Sequence, residues 1–401
     1  MLVSIHALHN FPASNLNRDD TGAPKTQYFG GFERARISSQ CQKYAWRHAW
    51  NEKQLPLPQA FESLGIRTRE FPAMVLDRLK KKGLEDESLL AVISEKLIAF
   101  GKSDKAGGDE GDKKDKKGKK SKAEPAKAAI PHTQQILFYS PNEIDAIADS
   151  IYTYIEENGC DAETFQSLSQ KALSSVYKTL KILPMSLDVS LFGRMTTDNS
   201  MRTVESAIQV AHALSTNALL PESDFFVAVD DMTLARKETG TGMLMHFDFN
   251  SSCYYSYASI NLDQWAENLA IGRKEDANAI IRDVLPSVIQ TIALVNPTGK
   301  QNSFAANTAP STILVEVIDN NIPVSYANAF VSPVQPTITE DICKESETAL
   351  LSFVEKTRQQ YSPLLGGKRF LLATQDNPVL PADTTRLTSL PELLQAVSQA
   401  I

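Results

Sequence analysis

Cysteine is scarce and scattered. The four residues Cys41, Cys160, Cys253 and Cys343 form no C-x-x-C pair, which argues against a zinc ribbon or a thioredoxin-type site. Free thiols in a cytoplasmic protein are expected. Long apolar runs are missing too. Stretches such as Phe225–Val229 fall far short of the ~20 residues of a membrane helix, so no membrane association is expected. Met1–His6 carries no basic region and no small-residue cleavage site, so no secretory leader is expected. His6, His9, His48, His132, His212 and His246 show no metal-ligand spacing such as H-E-x-x-H, and neither metal nor cofactor is expected. His212 reads as a packing residue inside an apolar helix. There is no glycine-rich first turn, no repeated βαβ unit and no internal repeat, which disfavours a doubly wound or solenoid fold.

What is present is enough to build a core: 401 residues, 42% apolar and 22% charged. The net charge is −7, which at first argues against a nucleic-acid partner, but its distribution matters more. Lys102–Lys127 holds ten lysines against six carboxylates, a surplus of four that leaves −11 for the rest. Within that acidic remainder Lys25–Trp50 carries Lys25, Arg34, Arg36, Lys43 and Arg47 against Glu33 alone. An acidic chain with one concentrated basic segment can hold a polyanion there and avoid indiscriminate binding elsewhere. Residues 101–129 contain no Ile, Leu, Val, Met or aromatic residue and are expected to be a disordered loop. Their mixed charges suit a solvated insertion better than a polylysine tether.

Periodicity predicts an α+β fold around an antiparallel sheet. Leu2–Leu8, Met185–Phe192, Tyr254–Leu262 and Thr312–Ile318 read as strands. Phe225–Val229 and Met243–Phe249 read as the arms of a long hairpin. Asn10–Gly31 reads as loop. Helices are predicted at Gln40–Trp50 behind Ser38-Ser39, and at Glu85–Phe100. Asn142–Glu157 follows Pro141, and Asp161 caps a helix to about Ile182. Further helices fall at Met201–Leu214, Lys274–Val295 with Pro286 as a kink, Glu340–Tyr361 and Leu390–Ile401.

The chemistry concentrates in Leu16–Trp50. Arg34 and Arg36, two apart in an extended strand, share a face. Gln40, Lys43 and Arg47 recur at helical spacing on one stripe. The helix start adds free N–H groups. Such a junction suits a phosphate backbone held without reading bases, although a solvated helix face has the same spacing.

Leu16-Asn17-Arg18-Asp19-Asp20, Phe29-Gly30-Gly31 and Arg36-Ile37-Ser38-Ser39-Gln40 open a series of ordered motifs. It continues through Leu191-Phe192-Gly193-Arg194-Met195, Ala211-His212-Ala213-Leu214 and Phe226-Val227-Ala228-Val229-Asp230-Asp231. Tyr257-Ala258-Ser259-Ile260-Asn261-Leu262, Lys300-Gln301 and Tyr326-Ala327-Asn328-Ala329-Phe330 complete it. Together they resemble the CasC family, the backbone subunit of type I-E CRISPR Cascade. The lysine-rich insertion and the region after Val331 resemble it little.

The resemblance implies a modified ferredoxin-like, RNA-recognition-motif palm with a helical fingers insertion and a β-hairpin thumb. Residues 1–51, 183–223 and 253–401 would form the palm with C-terminal helices, 52–182 the fingers and 224–252 the thumb. Copies would stack head to tail along CRISPR RNA, beside other Cascade subunits, and present the guide to target DNA. Arg18, Arg34, Arg36, Lys43 and Arg47 would hold guide phosphates, Ser38 and Gln40 would add neutral donors, and Lys300 and Gln301 would touch the backbone. Met195 would wedge beside a kinked nucleotide, and Arg236 and Lys237 would sit near the thumb tip. Tyr44 stands where the family offers a second basic residue and would stack on a base instead.

The resemblance implies no catalysis. The alternative is a metal-dependent endoribonuclease using Asp19/Asp20 or Asp230/Asp231. Adjacent carboxylates in a strand point to opposite sides, which weakens that reading.

Overall fold

The computed structural model describes residues 1–55, 64–98, 130–133, 135–169, 172–173, 176, 186–196, 201–229, 241–269, 274–338, 340–376 and 380–401. The lysine-rich stretch, Asp230/Asp231, Arg236 and Lys237 lie outside these residues. The chain divides into two compact units, one of residues 1–60, 208–263 and 278–401, the other of residues 61–207 and 264–277.

The first unit is built on a ten-stranded sheet with Leu2–Ser14 at its centre. That strand pairs antiparallel with Thr312–Ile318 on one side and with Thr241–Asn261 on the other. Lys368–Ala373 continues the first side antiparallel, and Thr384–Leu387 joins it in parallel at the edge. On the other side Ala213–Ser215 and Ile208–Val210 pair with Thr241–Asn261, and Phe32–Ile37 and Thr26–Phe29 follow. The mixed α+β, mostly antiparallel reading therefore stands.

Every residue of Leu2–Leu8 is buried, including Ser4 and His6, so neither face of the strand meets solvent. It supports a buried network instead. Glu316 Oε1 accepts from Arg369 Nε at 2.5 Å, its Oε2 accepts from Tyr326 Oη at 3.0 Å, and His6 Nε2 lies 3.2 Å from the same Oε2. His6 Nδ1 meets Tyr255 Oη at 2.8 Å. Desolvation would raise the Glu316 pKa, yet these partners hold it below the usual carboxylate value. A carboxylate this deep survives only because it is paired and hydrogen-bonded. The network ties four neighbouring strands to the Tyr326 segment.

In the second unit, helices Phe71–Lys81, Glu87–Ile98, Pro141–Asn158 and Ala162–Ser167 surround Phe71, Val75, Leu79, Ile93, Ile147 and Phe165. The Pro141 helix starts with a capping box between Ser140 and Glu143 and ends on left-handed Gly159, as its flanking residues predict. The Glu143 carboxylate also receives Arg194 at 2.7 and 2.8 Å.

Several expectations are corrected. Leu187–Phe192 is a helix rather than a strand. Asp188 and Ser190, which a half-buried strand would turn outward, are buried and bonded to Gly65 N and Leu187 O. The Met201–Leu214 helix is absent, and strands Ile208–Val210 and Ala213–Ser215 pair there with Thr241–Asn261, a tertiary partner overriding local preference. Asn10–Gly31 is not wholly loop: the first strand runs to Ser14, and Thr26–Phe29 pairs with Phe32–Ile37. The Asp161 cap forms, and its helix runs to Ser167, where Leu168 turns extended; residues 172, 173 and 176 are helical again, and the rest of the predicted stretch from 170 to Ile182 lies outside the described residues.

His9 provides a pH test of this core. It is buried beside Phe11, and desolvation pulls its pKa from 6.5 to about 4. The unfolded chain then takes up a proton before the folded chain does. Stability contributed by neutral His9 is complete above pH ~6.5 and is lost as pH falls toward 4, by about 2–3 kcal/mol. Urea unfolding at pH 7.5 and 4.5 should show a smaller acid loss in His9→Phe than in the wild type. Equal losses would contradict the assignment.

Candidate nucleic-acid interface

The basic segment begins with a self-bonded turn. Asp19 Oδ1 accepts from Thr21 N at 2.9 Å, Thr21 Oγ1 at 2.7 Å and Ala23 N at 3.0 Å. These bonds, the Thr21 hydroxyl first, hold its pKa below the usual value. Lys25 N closes the turn on Asn17 O at 2.8 Å. Asn17 Oδ1 then accepts from Ser38 N at 2.9 Å, which fixes the turn against the start of helix Ser39–Asn51. Gly299 packs against the same turn. A Cβ there would stand 2.2 Å from Leu16 O, so only glycine allows that approach.

Ser38 caps the helix, its Oγ accepting from Cys41 N at 3.3 Å. The helix buries Gln42, Ala45, Trp46, Ala49 and Trp50, and Trp50 Nε1 donates to Thr291 Oγ1 at 2.9 Å. That orientation leaves Gln40 and Tyr44 exposed and Lys43 and Arg47 half-buried on the opposite side. Burial lowers the Lys43 pKa. The ammonium therefore gains from an anionic partner. Arg18 is exposed at the turn.

Two assignments change. Arg34 does not face solvent. It is fully buried, and its guanidinium donates to Ser215 O and Thr216 O at 2.9 Å and to Phe330 O at 2.8 Å. It is withdrawn from the phosphate-contact set. His212 is no packing residue in a helix. It is exposed between two strands, and its Nδ1 lies 3.0 Å from Arg36 Nη1. Because arginine only donates, Nδ1 must accept. Desolvation, then Arg36 and Lys25, lower the His212 pKa. Arg36, Lys25 and His212 thus gather at one edge of the sheet. Sequence spacing gave no sign of His212, whose neighbours depend on strand pairing.

The hairpin Glu222–Val229 with Thr241–Asn250 pairs antiparallel, with Phe225 opposite His246 and Phe226 opposite Met245, and its register shifts between Ala228 and Val229. Phe225, Phe226, Val227 and Met245 are 52%, 39%, 39% and 41% exposed. Neighbouring residues of one strand face opposite ways, so both sides of this ribbon carry uncovered apolar groups. At its base Phe247 and Phe249 pack on Phe304, with ring centroids 5.7 and 5.6 Å apart. Lys300 Nζ stands 4.9 Å from the Phe247 centroid, a cation–π distance. Gln301 Nε2 donates to Pro297 O at 3.2 Å, which stiffens that loop. In the second unit Met195 is 85% exposed, directly after the anchored Arg194. A methionine held outward in this way is not a core residue.

The chain matches the model of the CT1975-like protein family over residues 3–398. Among solved structures it is similar to a chain of "CRISPR RNA-guided surveillance complex, pre-nicking", at 27% identity and a TM-score of 0.76, covering 100% of both chains. A chain of "CRISPR RNA-guided surveillance complex" shares the fold at 23% identity and a TM-score of 0.66, again over 100% of both chains. A comparison with curated proteins found no match.

Lys43 and Arg34 should separate cleanly in solution. Lys43→Met should weaken single-stranded RNA binding for all sequences and flatten the salt slope by about 1, because one fewer counterion is released. Arg34→Met leaves buried carbonyls unpaired and should cost about 3 kcal/mol or more of stability. Filter binding over a salt series and urea unfolding measure the two effects. A Lys43→Met slope equal to wild type would refute the contact.

Proposed function

The chain belongs to the CT1975-like family of Cascade backbone subunits, and from that premise we propose that it polymerises along CRISPR RNA. It holds the guide's phosphate backbone and offers segments of the guide to target DNA. The observation that carries this reading is the outward stripe of Gln40, Lys43 and Arg47, fixed at a capped helix start beside exposed Arg18. Cations arranged along a rigid element bind a backbone without regard to sequence.

In this reading the first unit's sheet is a ferredoxin-like palm, the helices of the second unit are fingers, and the ribbon Glu222–Asn250 is a thumb. An isolated two-stranded ribbon is marginal in water. The exposed Phe225, Phe226 and Met245 therefore suit a partner: displaced bases on one side and a further copy of the chain on the other. Head-to-tail contacts of this kind build open helical filaments. The partners are CRISPR RNA, further copies, other Cascade subunits and target DNA paired to the guide. The subunit is non-catalytic in this account. Asp19, one half of a candidate carboxylate pair, spends an oxygen on its own turn.

Replacing Arg236–Thr241 by Gly-Asn tests the thumb. The monomer should keep its thermal midpoint, while regular assembly on guide RNA fails. Chemical probing of a guide–target duplex in the assembled complex should lose its periodically reactive nucleotides. Unchanged periodicity would take the nucleotide-displacing role away from this hairpin. Guide RNA that is cut when magnesium or manganese is added would overturn the non-catalytic reading.

A further inference from the structure

All four cysteines are free thiols, and two of them, far apart in sequence, meet in the first unit. Cys253, Tyr255 and Tyr257 alternate along strand Thr241–Asn261 and so share one face of the sheet. They form a buried cluster there with Leu350, Leu351 and Val354 of helix Ile342–Tyr361. The same helix buries Ser346 and Glu347. Cys343 stands three residues before Ser346 and four before Glu347, so it heads the inward stripe. A chain of hydroxyls joins the two positions. Ser346 Oγ lies 2.8 Å from Thr216 Oγ1. Thr216 donates to Cys253 O, from N at 2.7 Å and from Oγ1 at 3.2 Å. Across this junction the two thiols hydrogen-bond each other.

Their surroundings make the two thiols unequal. Cys253 is fully buried, and its S–H, donated to Cys343, together with desolvation pushes its pKa up. Cys343 is half-buried. The bond that it accepts pulls its pKa down, against burial and against the nearby Asp341 and Glu347. The thiolate is the nucleophile in disulfide exchange, so the more acidic and more accessible sulfur reacts first.

We propose that Cys343 and Cys253 form a redox pair: Cys343 captures a small-molecule disulfide such as oxidised glutathione, and Cys253 resolves the adduct into an intrachain disulfide. In the first step the Cys343 thiolate attacks one sulfur of the small disulfide. A mixed disulfide forms, and one glutathione thiolate leaves. In the second step Cys253 gives up its proton and attacks the Cys343 sulfur, and the second glutathione leaves as its thiolate. Two protein thiols are oxidised, one glutathione disulfide is reduced, and the two protons released by the protein end on the departing thiolates. The new bond pins helix Ile342–Tyr361 to the strand whose first half is an arm of the Glu222–Asn250 ribbon. The pair lies apart from the guide-binding stripe and does not depend on that reading.

The test uses the full chain, first reduced and then incubated with mixtures of oxidised and reduced glutathione. Acid quenching, alkylation and peptide mapping by mass spectrometry locate each thiol. The main product should be the Cys253–Cys343 disulfide, reversed by dithiothreitol. The oxidised chain should melt several degrees above the reduced one, because the bond closes a long loop. Cys253→Ala should stop the reaction with glutathione held on Cys343. Cys343→Ser should leave Cys253 a free thiol, since solvent does not reach it. The wild-type map decides the matter even where a variant fails to fold. Glutathione that stays on Cys343 of the wild-type chain, with Cys253 still free, overturns the proposal. So does a disulfide that uses Cys41 or Cys160, or a chain that keeps all four thiols in the most oxidising mixture. Modification of Cys253 at the wild-type rate in Cys343→Ser would overturn the order of attack and the proposal with it.

Discussion

The interface depends on a buried arginine. Arg34 spends its guanidinium on the carbonyls of Ser215, Thr216 and Phe330, which lie at the ends of two backbone segments, Ala213–Ser215 and Ala327–Phe330. Besides it the edge hairpin Thr26–Ile37 meets the sheet through the short pairing of Arg36 and Ile37 with Leu214 and Ala213, and through the bonds of Ala35 N to Ser215 Oγ and of Leu219 N to Glu33 O. Gly30 completes the dock. It has φ of +61°, and a Cβ there would stand 1.9 Å from Val331 O. Hairpin and Phe330–Val331 segment thus lock together through one charge and one missing side chain. The capped helix follows directly, so its cationic stripe inherits that position.

Deeper in the same unit the Glu316 network plays a comparable part. Arg369 and Tyr326 donate to one carboxylate from a neighbouring strand and a loop, and His6 reaches it from the central strand. Replacing such a group by an apolar one need not destabilise a fold, but breaking it one-sidedly does. The network therefore fixes which strands are neighbours more than it adds net stability. Rigid placement matters here because phosphates along a nucleic acid recur at fixed spacing, and a cationic stripe works only in register with them.

How much of this the sequence reveals depends on the range of the interactions. Helix starts at Ser38, Ser140 and Asp161 are legible because their caps are bonds within three residues. Thr312–Ile318 is legible because seven consecutive buried positions leave few alternatives. Leu187–Phe192 misleads because its alternating polar residues find buried partners, which no local pattern encodes. Residues 208–215 become strands because Thr241–Asn261 offers them an edge. In the site, spacing groups Gln40, Lys43 and Arg47 on one stripe, and the structure leaves Gln40 exposed and Lys43 and Arg47 half-buried opposite Gln42, Ala45, Trp46 and Ala49. Spacing also sets Arg34 and Arg36 on one face of their strand, but not what that face meets. One ends among carbonyls and the other beside His212 and solvent.

The central claim is that an RNA backbone runs along the outward side of helix Ser39–Asn51. Cryo-electron microscopy of the chain assembled on a guide RNA tests it most directly. The account predicts guide phosphates within hydrogen-bond distance of Lys43 and Gln40, with Arg34 still buried against Ser215, Thr216 and Phe330. A guide that runs elsewhere on the subunit, leaving Gln40, Lys43 and Arg47 in solvent, would contradict it.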